Sequence, residues 1–340
     1  MDWGQQPVNL IHVGGEILTC DSWDAAVMLL EPEESQSTIA YLERHDRLRG
    51  EWVRRTLGTC ALAPYVVSQR AYPGLIRVVH AGVGGVALDR AAPALRREVL
   101  SDLDSADAVG VRDSRTQTLL AGAGIAARLV PDPAVMVATL FGDKIRGRAG
   151  HGAVGAMLRA FPNGYLAVQF SADFGDDATL TQIAAQLDAV TAAQPCGVAL
   201  FRAGAAPWHD DLACLGKAAA RMRNGSARVF ESVDLWDICA LIAHSRGYCG
   251  SSLHGRIVAM AFALPRVNLR CPAPAAWPSK QAAFSATWDD VGVPAEVDVS
   301  DIATGIQCAL QADQRRLRTT AQWLADRYRQ DFTAICDVLA

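Results

Sequence analysis

Short apolar runs that end in small residues or a turn alternate along the chain with longer stretches whose apolar residues recur at intervals of three and four. This alternation predicts an α/β protein, with strands buried in parallel sheets and helices packed on their faces. In the first half, strands are expected at residues 8–13, 63–67, 77–81, 108–111 and 128–130, and helices at 39–57, 93–106 and 114–123. Leu95, Val99, Leu100 and Leu103, with charged residues between them, form the apolar stripe of a helix lying on a sheet. Residues 141–155 contain Gly142, Gly147, Gly150, Gly152 and Gly155, the glycine content of a linker, and a domain boundary is expected there.

A second alternation follows. Strands are expected at 165–170, 196–201, 228–230 and 247–249, and helices at 177–191, 210–222, 235–243 and 255–263. Residues 300–339 read as nearly all helical, with a break at 311–314. The expected organisation is two Rossmann-like domains, 1–145 and 146–310, and a helical tail, 311–340. Two parallel-sheet units imply a ligand cleft between them, because such sheets bind ligands where strand ends meet helix N-termini.

Composition narrows the function classes. The chain has 340 residues, 51% apolar and 20% charged, as a folded globular protein has. Thirty-two basic and 36 acidic residues leave a net charge of -4, so no global field recommends nucleic acid or an anionic membrane as a partner. Only three of the basic residues are lysines, Lys144, Lys217 and Lys280. No apolar stretch approaches the roughly 18 residues of a spanning helix. The first residues lack the basic and apolar regions of an export signal, so a cytoplasmic location is expected. Nine cysteines without a C-x-x-C pair suit neither a disulfide framework nor a structural zinc site.

Two segments concentrate chemistry. Ser251-Ser-Leu-His-Gly-Arg256 stands between a short strand and an apolar helix that Pro265 ends. That places Ser251, Ser252 and His254 at a helix N-terminus, where free N–H groups and the helix dipole favour an anion. Arg256 and Arg246 offer fixed positive charge, while the plainer alternative makes Ser252 an N-cap and His254 a surface residue. In Val109-Gly-Val-Arg-Asp-Ser-Arg115, Arg112 follows a strand end from which a guanidinium reaches toward a ligand, and Asp113 or Ser114 suits a helix cap. Pro131-Asp-Pro133 reads as an exposed rigid turn rather than a catalytic site for Asp132.

Taken in order, V-G-V-R-D-S (109–114), G-A-G-I (122–125), V-P-D-P-A-V (130–135) and S-S-L-H-G-R-I-V-A-M-A-F-A-L-P (251–265) resemble the polysaccharide pyruvyl transferase family. I-H-V-G-G-E-I-L (11–18) and V-V-H-A-G-V-G-G (78–85) are similar to that family's strand and glycine-rich turn and to its next strand. The resemblance implies a two-domain fold similar to the GT-B glycosyltransferases, with the acceptor on the N-terminal side and the donor on the C-terminal side. It implies transfer of a pyruvyl group from phosphoenolpyruvate to two hydroxyls of a sugar, in a cell-surface or exported glycan precursor, as a ketal. No metal or organic cofactor is expected.

Set against that donor, Arg112, Ser251, Ser252 and Arg256 are the expected anion ligands. His254 matches the family's histidine and is the expected general acid for the methylene carbon. His209, within Trp208-His-Asp-Asp211 after a strand, is the candidate for assisting the attacking hydroxyl, and Asp210 and Asp211 equally suit the first turn of a helix. Lys280 resembles the lysine that follows the histidine motif and is expected on donor phosphate. Two departures stand out. Family members usually open with a strand and a Gly-Asp turn, and the chain reads as one such β-α unit short. Ser252 replaces an arginine common directly before Leu-His, and Arg256 is expected to restore that charge from one helical turn away. A GT-B-like glycosyltransferase using a nucleotide sugar and a non-catalytic family member are the competing readings. The oligomeric state and the acceptor sugar are not encoded in any motif.

Overall fold

A computed structural model describes residues 7–72, 74–207, 211–223, 225–272, 278–290 and 292–339. The chain divides into two compact α/β units, residues 1–133 with 327–340, and residues 134–326. In the first unit β1 (Val8–Val13), α1 (Ser22–Val27), α2 (Pro32–Leu42) and α3 (Asp46–Leu57) precede β2 (Leu75–Val83), α4 (Pro93–Asp104), β3 (Ala108–Val111), α5 (Ser114–Ala121) and β4 (Arg128–Leu129). The strands pair in the order β1-β2-β3-β4, all parallel.

The second unit begins with α6 (Val137–Gly147) and α7 (Gly152–Ala160), then alternates β5 (Tyr165–Gln169), α8 (Asp177–Ala193), β6 (Gly197–Phe201), α9 (Leu212–Arg221), β7 (Ala227–Phe230), α10 (Leu235–Ala243), β8 (Gly247–Gly250), α11 (Leu253–Ala261) and β9 (Arg266–Leu269). It closes with α12 (Lys280–Trp288), β10 (Glu296–Val297), α13 (Ile302–Leu310) and α14 (Gln314–Leu339), whose residues from Arg327 onward belong to the first unit. Its six parallel strands run β10-β9-β8-β5-β6-β7.

Burial explains why the strands of this sheet read as continuous runs. Every residue of β5 and β6 is buried, because helices cover both faces. Leu166 and Val168 join the core beneath α8, α9 and α13, whereas Tyr165 and Ala167 join the core that holds Val258 and Ala259 of α11. In the first unit Val79 and Ala81 pack against Ile335 of α14, and Val83, Val109 and Val111 pack with Leu95, Val99 and Leu103 of α4.

Three expectations need correction, and one strand was not expected. Residues 63–67 form no strand; Pro64 withholds a ladder N–H, and Ala63 and Val66 are buried from a turn closed by a 2.9 Å Val66 N–H to Ala63 O bond. The expected helix 39–57 is two helices, α2 and α3, interrupted after Leu42. The glycine-rich stretch 141–155 is not a linker but lies largely in α6 and α7, held by buried Ile145 and Val154, and the division between units falls earlier, after Pro133. A strand not anticipated, β9, carries buried Arg266 and Asn268.

Candidate functional site

In the second unit the carboxyl end of β8 runs directly into α11. Ser252 is the N-cap, its Oγ accepting the Gly255 N–H at 3.2 Å. Tyr248 holds this turn from below: its hydroxyl donates to Ser252 O at 3.0 Å and accepts the Ser252 N–H at 3.2 Å. Burial pushes the Tyr248 phenol well above its usual range, so it stays neutral and can make both bonds. Glycine at 255 is required here, since a Cβ would lie 2.6 Å from the Tyr248 hydroxyl.

Ser251 is bonded on three sides. Its N–H donates to Gln169 O at 3.1 Å, its Oγ accepts the Ser171 N–H at 3.1 Å, and its carbonyl accepts from the Gln281 side chain. Both serine hydroxyls are therefore positioned by acceptor roles and keep a hydrogen to donate. His254 follows in the first turn of α11 and is exposed. Lys280 is the exposed first residue of α12, next to the Gln281 that holds the Ser251 carbonyl. A cation at a helix start opposes the dipole, so the stability of α12 does not account for it.

The structure thus brings Ser251, Ser252 and His254 to one turn, with Lys280 next in sequence to the Gln281 that contacts it. It removes Arg256 from that group. The Arg256 side chain is fully buried, and its five N–H donors meet five acceptor contacts: two to Asp289 Oδ2, one to Asn268 Oδ1 at 2.8 Å, and one each to the carbonyls of Ala295 and Pro294 at 3.2 and 3.1 Å. No donor is left for an anion, so Arg256 does not replace the arginine that Ser252 displaces. Arg266 shares the same carboxylate through Asp289 Oδ1. Burial alone would raise the Asp289 carboxyl; the two guanidinium groups outweigh it and hold it below the ordinary range. His209 lies outside the described residues. Asp211 caps α9 through the Ala213 N–H at 2.8 Å, in keeping with the helix-start alternative.

Arg112 belongs to the first unit, at the carboxyl end of β3. Its side chain is buried and paired with Asp132 at 2.8 Å and Glu16 at 2.5 Å. Burial alone would lower this guanidinium; the two carboxylates outweigh it and raise its pKa, fixing its charge. Asp132 is buried rather than set in an exposed turn. Gly84 makes the arrangement possible, because a Cβ there would stand 2.3 Å from Glu16 Oε2 and 2.7 Å from Arg112 Nε. Asp113 caps α5 through the Thr116 N–H at 2.7 Å. Sequence reasoning missed Glu16, Gln169 and Ser171. The signal that marks all three is position, at or just past the end of a strand.

Among the described residues, no three His, Cys, Asp or Glu side chains gather as a metal site, and no helix is long and apolar enough to cross a membrane. The family model described as polysaccharide pyruvyl transferase matches residues 89–271, more than half of the chain. A search of curated proteins returned no match. Solved structures of similar fold include a UDP-GlcNAc 2-epimerase from Neisseria meningitidis, with a TM-score of 0.54 and 11% identity over 98% of this chain and 99% of that one. The MnaA protein of S. aureus gives 0.53 and 10% over 97% of each chain. An alpha,alpha-trehalose-phosphate synthase (UDP-forming) from Burkholderia xenovorans gives 0.53 and 13% over 87% and 80%. At these identities the likeness concerns the fold alone, which is of the GT-B class.

Proposed function

The chain belongs to the polysaccharide pyruvyl transferase family, and from that premise we propose that it transfers a pyruvyl group from phosphoenolpyruvate to two hydroxyls of a sugar in a cell-surface or exported glycan precursor. The observation that carries this reading is the capped start of α11, where an exposed histidine follows two serines with hydroxyl hydrogens to donate. The donor is an enol phosphate with a carboxylate. The Leu253 N–H, outside the helix's own ladder, and the serine hydroxyls suit its phosphate, and Lys280 adds a positive charge.

The chemistry balances without an outside oxidant or reductant. The first sugar hydroxyl adds to C2 of the donor while His254 delivers a proton to the methylene, which becomes a methyl group. The second hydroxyl displaces phosphate at the same carbon. Two hydroxyl protons are lost by the sugar, one is gained by carbon through the histidine, and one leaves on hydrogen phosphate. Within its own unit Arg112 holds Glu16 and the Asp132 turn in register.

The test is phosphate release from phosphoenolpyruvate by the full chain with glycan precursors extracted from the source cells. In deuterium oxide the ketal methyl group should gain one deuterium. His254→Gln should lower turnover by about 10²- to 10⁴-fold, the range of general acid catalysis, with little change in melting temperature because the residue is exposed. Unchanged turnover in that variant, or turnover of a nucleotide sugar in place of phosphoenolpyruvate, overturns the reading.

A further inference from the structure

Among the described residues, one buried acceptor beside the α11 turn has no partner. Gln169 is the last residue of β5, its Cα pairs in register with that of Gly250, and its carbonyl holds the Ser251 N–H. Its side chain lies on the same face as those of Tyr165 and Ala167, the face on which α11 packs, at the strand end where α11 begins. The residue is only 3% exposed, and among the described residues nothing donates to its Oε1. A buried carbonyl left unpaired is unfavourable by about 1 to 3 kcal/mol, so a donor supplied by a ligand would stabilise it.

We propose that Gln169 Oε1 accepts the O–H of a hydrogen phosphate ion seated at the start of α11. This rests on the function proposed above, in which phosphate leaves from that turn. The turn supplies N–H and hydroxyl donors for an oxyanion; an added acceptor is matched only by an oxyanion that carries a proton. Hydrogen phosphate does, whereas a fully ionised phosphate ester and sulfate do not. The bond to Gln169 is therefore absent in the bound donor. It forms as the carbon–oxygen bond to phosphate breaks and the proton of the second sugar hydroxyl comes to rest on the departing oxyanion. An interaction gained only along the reaction raises turnover rather than donor affinity.

Inorganic phosphate and sulfate serve as probes, in calorimetric titrations of the full chain at pH 8, where both are dianions of similar shape and only phosphate carries an O–H. The wild-type protein should bind phosphate about tenfold or more tightly than sulfate, the difference a hydrogen bond to a charged partner supports. Gln169→Leu, which removes the acceptor and its unpaired oxygen together, should abolish the preference by weakening phosphate while leaving sulfate unchanged; Gln169→Met repeats the test with a straight chain. Equal binding of the two anions by the wild type, or a preference that survives in both variants, overturns the role of Gln169 and leaves the anion site standing. Binding of neither anion overturns the anion site itself, and this inference with it.

Discussion

Arg112 and Arg256 look alike in the sequence, each a guanidinium in a motif that follows a strand, yet both are engaged by carboxylates of their own unit. The residues that keep donors available are smaller, Ser251 and Ser252. Asp289 decides how Arg256 behaves, since two buried guanidinium groups rest on its one carboxylate. Asp289→Asn leaves both cations buried with reduced compensation and should lower stability by about 3 to 5 kcal/mol in urea denaturation, as loss of one partner from a buried pair does. A loss below about 1 kcal/mol would mean that the guanidinium groups reach water. Because this carboxyl is held below its unfolded value, its contribution is complete above about pH 4 and fades only as pH falls through the folded pKa.

At the scale of elements, the start of α11 depends on glycine and tyrosine together. Gly255→Ala places a methyl group 2.6 Å from the Tyr248 hydroxyl, where nothing flexible can yield, and should destabilise the protein by about 1 to 3 kcal/mol. Tyr248→Phe with Gly255→Ala leaves the clash with the ring and should recover little; full recovery of the melting temperature in that pair would contradict the packing. The same dependence on partners sets what was legible beforehand. Strands 8–13 and 108–111 and helix 235–243 were readable residue for residue, since local apolar spacing determines them. Strand β9 was not, because Arg266 and Asn268 interrupt its apolar run, and only Asp289 and the Gly250 carbonyl, far along the chain, make those polar residues fit a core. The glycines of α6 and α7 misled for a related reason: each glycine disfavours a helix by up to about 1 kcal/mol, and burial of Ile145, Val154 and Met157 outweighs that preference. At the site, the serines and histidine were legible as a strand-to-helix junction. The engagement of Arg256 and the unpaired oxygen of Gln169 were not, since each is set by neighbours in space.

The two units of the molecule should differ in how they respond to acid. In the first, His12 and His80 stack with ring centroids 4.4 Å apart, the Val67 N–H donates to His12 Nε2, and among the described residues neither ring nitrogen of the fully buried His80 has a partner. Burial, reinforced by the neighbouring His12, pushes His80 down to about 3, and burial also lowers His12. Both imidazoles are neutral in the folded protein, whereas an unfolded histidine takes up a proton near pH 6.5. Between pH 6.5 and about 3 the unfolded chain therefore binds more protons than the folded one, and stability falls as pH decreases through that window. In the second unit the main buried carboxylate, Asp289, stays ionised over most of the same range. Hydrogen exchange at pH 7.5 and pH 5, corrected for the intrinsic rate, should show the amides of β2 losing protection in acid well before those of β5. His80→Leu replaces the buried imidazole by an apolar group of similar volume that cannot titrate and should flatten the acid response of β2 while leaving β5 as it was. Equal loss of protection in both strands, or an unchanged response in His80→Leu, would show that the acid sensitivity does not originate in the stacked pair.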